Sequence, residues 1–82
     1  MNETTTGELA VFCENVRLLR QKYGYSQERM AKICGVNKNT LSKIEQMIFP
    51  PRLGIRVVFN ICWHFRLKPY QLFLPLEFPE KK

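Results

Sequence analysis

Leu9, Phe12, Val16, Leu19 and Tyr23 recur at steps of three and four residues, the spacing that lines one face of a helix. The pattern predicts a first helix over about Glu8–Lys22. Arg17, Arg20 and Lys22 lie toward its end, where the helix dipole favours cations, and Gly24 is its natural stop. Ser26 reads as an N-cap, because its hydroxyl can accept a free backbone N–H of the next turn. A second helix of about two turns follows over Gln27–Cys34, with Met30, Ala31 and Cys34 inward, and Gly35 breaks it. Asn37 is a second N-cap and opens a third helix over Lys38–Glu45. There Leu41 and Ile44 point inward, while Lys38, Asn39, Ser42 and Lys43 point out. Pro50 and Pro51 fix a loop over Met47–Leu53. A fourth helix, roughly Gly54–Phe65, is expected to gather Ile55, Val58, Phe59, Cys62 and Phe65 on one face. A short fifth helix starts near Pro69, a good first helical residue, and carries Leu72 and Phe73. No stretch alternates like a strand and nothing repeats. The fold class is therefore all-α, a compact bundle of five short helices. It divides into a flexible N-terminus (1–7), one domain (8–74) and an irregular C-terminal tail (75–82).

The stretch from Gln27 to Ile44 is the informative one. Two short helices meet at a tight turn. Ala31 is small where the second helix crosses over it. Gly35 can adopt the positive φ that a sharp reversal needs. Val36, Leu41 and Ile44 hold the later helix to the body. Its other face is left free, which is the arrangement of a helix-turn-helix at about 27–45, able to enter a major groove about 12 Å wide. Lys38 and Lys43 can donate to guanine or to phosphate, and Asn39 can pair bidentately with adenine. Thr40 can meet a phosphate or a thymine methyl. Gln27 stands at a helix N-terminus, where phosphates are commonly held.

Composition narrows the classes. The chain has 82 residues, enough for one domain and no more. A core that small is marginal without dense packing or association. Hydrophobic residues make up 45% and charged residues 24%, as in an ordinary globular domain. The formal net charge of +6 favours a polyanionic partner. No apolar run reaches the ~20 residues of a membrane span, and Met1–Gly7 lacks the order of a signal peptide. A cytoplasmic protein is expected, with no membrane partner. Cys13, Cys34 and Cys62 are odd in number and far apart, unlike a disulfide framework or a zinc knuckle. They read as reduced core residues.

With these residues in hand, the segment from about Val16 to Phe73 resembles the phage repressor and Cro family of DNA-binding domains, the xenobiotic-response-element type of helix-turn-helix. The resemblance is carried by Arg20, Gly24-Tyr25-Ser26-Gln27, Ala31, Gly35-Val36, Leu41-Ser42-Lys43-Ile44-Glu45 and Leu72-Phe73. It implies a lambda-repressor-like bundle and sequence-specific binding of double-stranded DNA by a small transcriptional regulator, a repressor acting as a homodimer. By resemblance, Lys38, Asn39 and Lys43 are the base-contacting positions. Gln27, Asn37, Thr40, Ser42 and Arg52 are the backbone-contacting ones. Arg20 and Glu45 fall where the family pairs an arginine of helix one with a glutamate ending the recognition helix, a structural lock. Two departures stand out. Met47 replaces the family's glycine after the glutamate. The loop Gln46–Leu53 is about two residues longer and carries Ile48 and Phe49, so it is expected to pack inward or against a partner chain.

Plainer readings stand beside these. A helix-turn-helix can be a structural corner, and Lys38 and Lys43 can be a solvated face. The short polar neighbours Asn37, Asn39 and Thr40 favour groove reading. His64, the single histidine, lies off the apolar face of its helix with no cysteine pair beside it, so no metal site is expected. No hydroxyl or thiol has a base in sequence reach, and the carboxylates are scattered. No enzyme activity, cofactor or small-molecule effector is expected. Trp63, Leu74, Leu76 and Phe78 leave two alternatives. The tail folds back over Trp63 within one chain, or these residues form a two-fold interface. A protein-interaction module is the second functional class, with an antitoxin using its apolar tail on a partner protein as the concrete case.

Overall fold

The computed structural model describes residues 7–49 and 53–76. Five helices follow in order, α1 (Gly7–Tyr23), α2 (Gln27–Cys34), α3 (Lys38–Glu45), α4 (Ile55–Phe65) and α5 (Pro69–Leu72), with no strand among the described residues. The all-α expectation holds. Residues 1–6, Pro50, Pro51, Arg52 and 77–82 (Phe78 among them) lie outside the described residues, so the expectations placed on them have no structural counterpart here.

The elements begin and end where local chemistry dictates. Ser26 is the N-cap of α2, its hydroxyl accepting from Arg29 N–H at 3.1 Å. Asn37 caps α3 in the same way, its Oδ1 accepting from Thr40 N–H at 2.8 Å. Between the two helices Gly35 sits in the left-handed region at φ 82°, and the Gly35 and Val36 N–H groups both donate to Ala31 O, at 2.8 and 3.0 Å. A Cβ at Gly35 would stand 2.7 Å from Asn60 Nδ2. The turn therefore needs glycine twice, for its φ and for the approach of α4.

One core joins all five helices. Phe12, Cys13, Val16 and Leu19 of α1 are buried with Met30, Ala31 and Cys34 of α2, Leu41 and Ile44 of α3, Ile61 of α4 and Leu72 of α5. The helix packing is α3 on α1 and α2, α4 on α2 and α5, and α5 on α1. The three cysteines are buried and free. Burial pushes the Cys13 thiol up to about 11. It also pushes Cys34 up to about 12, with the Glu45 charge adding to the effect.

The inward faces differ from expectation at both ends of the bundle. Leu9 and Tyr23 are about half exposed, Tyr23 lying against Phe65 at 5.0 Å at the edge of the bundle. Asn15 occupies an inward position instead, 1% exposed. Its Nδ2 donates to Leu72 O and Leu74 O, both at 2.8 Å, and its Oδ1 accepts from Leu76 N–H at 3.3 Å. On α4 the buried residues are Val57, Ile61, Cys62 and Phe65, with Val58 partly buried. Ile55 and Phe59, expected inward, are 68% and 52% exposed. Eight of the eleven positions of α4 are apolar, so spacing alone left its phase undetermined. The phase is fixed by Asn60, whose Nδ2 donates to Cys34 O at 2.9 Å.

In the loop after α3, Met47 and Phe49 pack inward against the core, while Ile48 is 43% exposed. Met47 adopts the left-handed region at φ 70°, which accounts for glycine being the easier residue there. Phe49 meets Phe12 edge-on at 5.6 Å, and Phe12 stacks on Phe73 at 5.4 Å.

Candidate nucleic-acid interface

The site is the outer face of α3, and its position depends on what grips the inner face. Leu41 and Ile44 are fully buried. At the C-terminal end Glu45 accepts three hydrogen bonds from two side chains. Arg20 Nε donates to Glu45 Oε2 at 2.6 Å and Arg20 Nη2 to Oε1 at 3.0 Å, a bidentate fork. Arg20 Nη1 also donates to Tyr25 O at 3.1 Å, which ties the α1–α2 connection to the same guanidinium. Gln27 Nε2 donates to Glu45 Oε1 at 3.2 Å. The Arg20 and Glu45 side chains are 20% and 6% exposed. The first turns of α2 and the end of α3 are thus held to α1 by one cluster.

The other face of α3 is open. Lys38, Asn39 and Lys43 are exposed, and none has a side-chain hydrogen bond or ion pair with any described residue. Thr40 and Ser42 are half-buried beside them. Ser42 Oγ accepts from Gln46 Nε2 at 3.0 Å. Asn37 spends its Oδ1 on the cap, which leaves its amide N–H groups as donors. Gln27 is partly buried, and one of its amide N–H bonds is committed to Glu45. The chemistry on offer is two ammonium groups, an uncommitted amide at Asn39 and short hydroxyls on one short helix, with no carboxylate on that outer face.

Two residues that matter to this geometry carry no charge and no motif. Asn60 clamps α4 onto the α2–α3 turn, and Asn15 holds the end of the chain to α1. Both had a visible signal, a lone amide within an apolar helical phase. Trp63 and the tail separate. Trp63 is 87% exposed, so the described part of the tail does not cover it. The segment up to Leu76 runs along α1 instead, Leu76 partly packed and Leu74 exposed. His64 is exposed and its Nε2 lies 3.3 Å from Tyr25 Oη.

A short helix capped at Asn37, crossing a second helix at a glycine turn inside a five-helix bundle, defines the helix-turn-helix class of DNA-binding proteins. A helix-turn-helix family model matches residues 16–55. The uncharacterized HTH-type transcriptional regulator YgzD of Bacillus subtilis is 34% identical over 58 residues, 71% of this chain and 85% of that protein. A hypothetical transcription factor of Neisseria meningitidis serogroup B is 30% identical over 66 residues, 80% of this chain but only 60% of that longer protein. The crystal structure of the hypothetical transcription factor NHTF from Neisseria matches with a TM-score of 0.67 at 27% identity, over 92% of this chain and 87% of that one. The chain belongs to the helix-turn-helix family of transcriptional regulators, which bind DNA and are not enzymes.

Proposed function

We propose that the chain is a sequence-specific regulator that reads double-stranded DNA through the major groove with α3, acting as a repressor by occupying an operator. The observation that carries this reading is the uncommitted outer face of α3 on a helix fixed at both ends. Lys38, Asn39 and Lys43 read bases. Asn37, Thr40, Ser42 and Gln27 position the phosphate backbone, Gln27 through the N–H that Glu45 leaves free. A rigid mount matters because base readout requires donors held in register with the base edges. The net charge of +6 supplies the sequence-independent attraction. Dimerisation follows from the logic of operators. A two-fold pair reads two half-sites about 34 Å apart and multiplies the specificity of one short helix.

The test is selection of bound duplexes from a random pool by the purified chain, repeated with Asn39→Ala and Lys43→Ala. The parent should select one sequence, and each variant should lose discrimination at particular base pairs by about 1–3 kcal/mol. Lys38→Ala is expected to behave likewise. Parent and variants that select no sequence, or all the same one, would remove α3 as the reading element.

A further inference from the structure

α4 carries more apolar surface than the core can use. At about 100° per residue around a helix, the buried residues Val57, Ile61, Phe65 and Cys62 cover an arc of roughly 140°. Arg56, Asn60 and His64 form a polar strip beside it. On the remaining side Ile55, Phe59 and Trp63 follow one another at steps of four residues, a ridge about 12 Å long. They are 68%, 52% and 87% exposed. The core and the Asn60 clamp fix the phase of α4, so the ridge cannot rotate inward.

We propose that this ridge is a self-docking surface, on which a second copy of the chain packs its own α4 across a two-fold axis. The proposal rests on the DNA-reading assignment only for its consequence at an operator. Area supports it. An aromatic side chain offers roughly 150–250 Å² when fully exposed, so the ridge presents on the order of 400 Å². That is the size of the largest apolar patch on a typical monomer, about 300–600 Å², which is often a functional surface. Two ridges together supply on the order of 800 Å², about half of a standard interface of ~1,600 Å². That share is close to the usual apolar fraction, with the rim supplying the rest. Shape supports it as well. In an antiparallel pair centred on Phe59, the slender Ile55 of each copy meets the broad Trp63 of the other, so the same surface complements itself. The described part of the tail does not occupy the ridge, because Asn15 holds it on α1.

The rim gives the dimer a distinctive salt response. No acidic residue occurs between Glu45 and Glu77, so each copy brings Arg56 and Arg66 to the contact without a counter-charge. Screening these like charges favours association, whereas DNA binding weakens with salt.

Trp63 is the single tryptophan, so its emission reports the ridge directly. With rising concentration of the full chain, emission should shift to the blue as sedimentation mass doubles from 9.8 kDa. Both changes should strengthen between low and high salt. Phe59→Lys should weaken the dimer at least tenfold with Trp63 as reporter. Trp63→Lys, at a position too exposed to threaten folding, should do so by sedimentation. Both variants should keep single half-site affinity within about threefold and lose cooperative occupancy of a two-fold site. A parent that stays monomeric, or a dimer unaffected by either variant, overturns the proposal. So does blue-shifted emission with acidic peptides or anionic vesicles while the chain alone stays monomeric. Loss of half-site binding in the parent would instead sink the α3 assignment and leave the ridge untouched.

Discussion

Replacing Glu45 with alanine should be the most damaging single change near the recognition helix that touches no apolar side chain. The substitution leaves the Arg20 guanidinium, four-fifths buried, with Tyr25 O as its remaining partner. Removing one partner of a buried pair typically costs about 3–5 kcal/mol. Arg20 retains some solvent and one carbonyl, so the low end, about 3 kcal/mol, applies. Gln27 is only partly buried and can turn its freed N–H to water. A domain of this length has on the order of 4–12 kcal/mol in total, so the variant folds with little to spare. At about 4–8 °C per kcal/mol, its Tm should fall by roughly 12–24 °C in a thermal melt followed by far-UV circular dichroism. The pair itself is not expected to be a large net source of stability, because both charges lost their water on folding. Arg20→Met combined with Glu45→Leu should therefore be more stable than either single variant and close to the parent. A Glu45→Ala cost under about 1 kcal/mol, or a double variant worse than both singles, would refute the reasoning.

Other outcomes follow from single features. Gly35→Ala combines left-handed strain of about 1–2 kcal/mol with a Cβ pressed on Asn60 Nδ2. It should cost about 2–3 kcal/mol in urea unfolding, and its cost should shrink in an Asn60→Ala background. Arg66 is exposed and left-handed at φ 59° where it caps α4. Arg66→Gly should raise stability by about 0.5–1 kcal/mol, the relieved strain less the extra freedom of an unfolded glycine, as a higher urea midpoint. The buried thiols link stability to alkaline pH. Cys34 and Cys13 titrate near 12 and 11 in the fold against an ordinary 9.0. Their contribution is complete below pH 9 and is lost as pH rises through that window. The loss approaches about 1.4 kcal/mol per pH unit for each thiol. Urea midpoints measured from pH 8 to pH 11 should fall, and Cys34→Ala should flatten the fall.

Sequence made α2 and α3 legible to the residue, and the reason is local. Ser26, Gly35 and Asn37 each act on backbone groups within four residues of themselves, so the boundaries need no knowledge of the rest of the chain. The Arg20–Glu45 pair spans 25 residues in sequence and became legible only because a family pattern supplied the partner. Asn15, which reaches 57 to 61 residues along the chain, had no such pattern. A buried amide announces that it needs partners but does not say which. The role of Gln27 was half legible, since its place at the helix N-terminus was clear and its bond to Glu45 was not.

The same limit explains α4 and links its misread phase to its use. Helical periodicity identifies an inward face by contrast with a polar one, and α4 offers contrast only at Arg56, Asn60 and His64. Two apolar faces fit the remaining residues. The fold had to bury one of them, and it buries the side that lets Asn60 donate to the carbonyl at Cys34. Had α4 been amphipathic in the usual way, its phase would have been readable and its outer side would carry charge. An ambiguous phase and an exposed apolar ridge are thus one property of the sequence, a helix apolar on two sides. On the self-docking proposal, the second side meets α4 of another copy. Substituting Phe59 and Trp63 together by lysine would make the helix readable and, on this argument, leave the monomer intact while abolishing self-association.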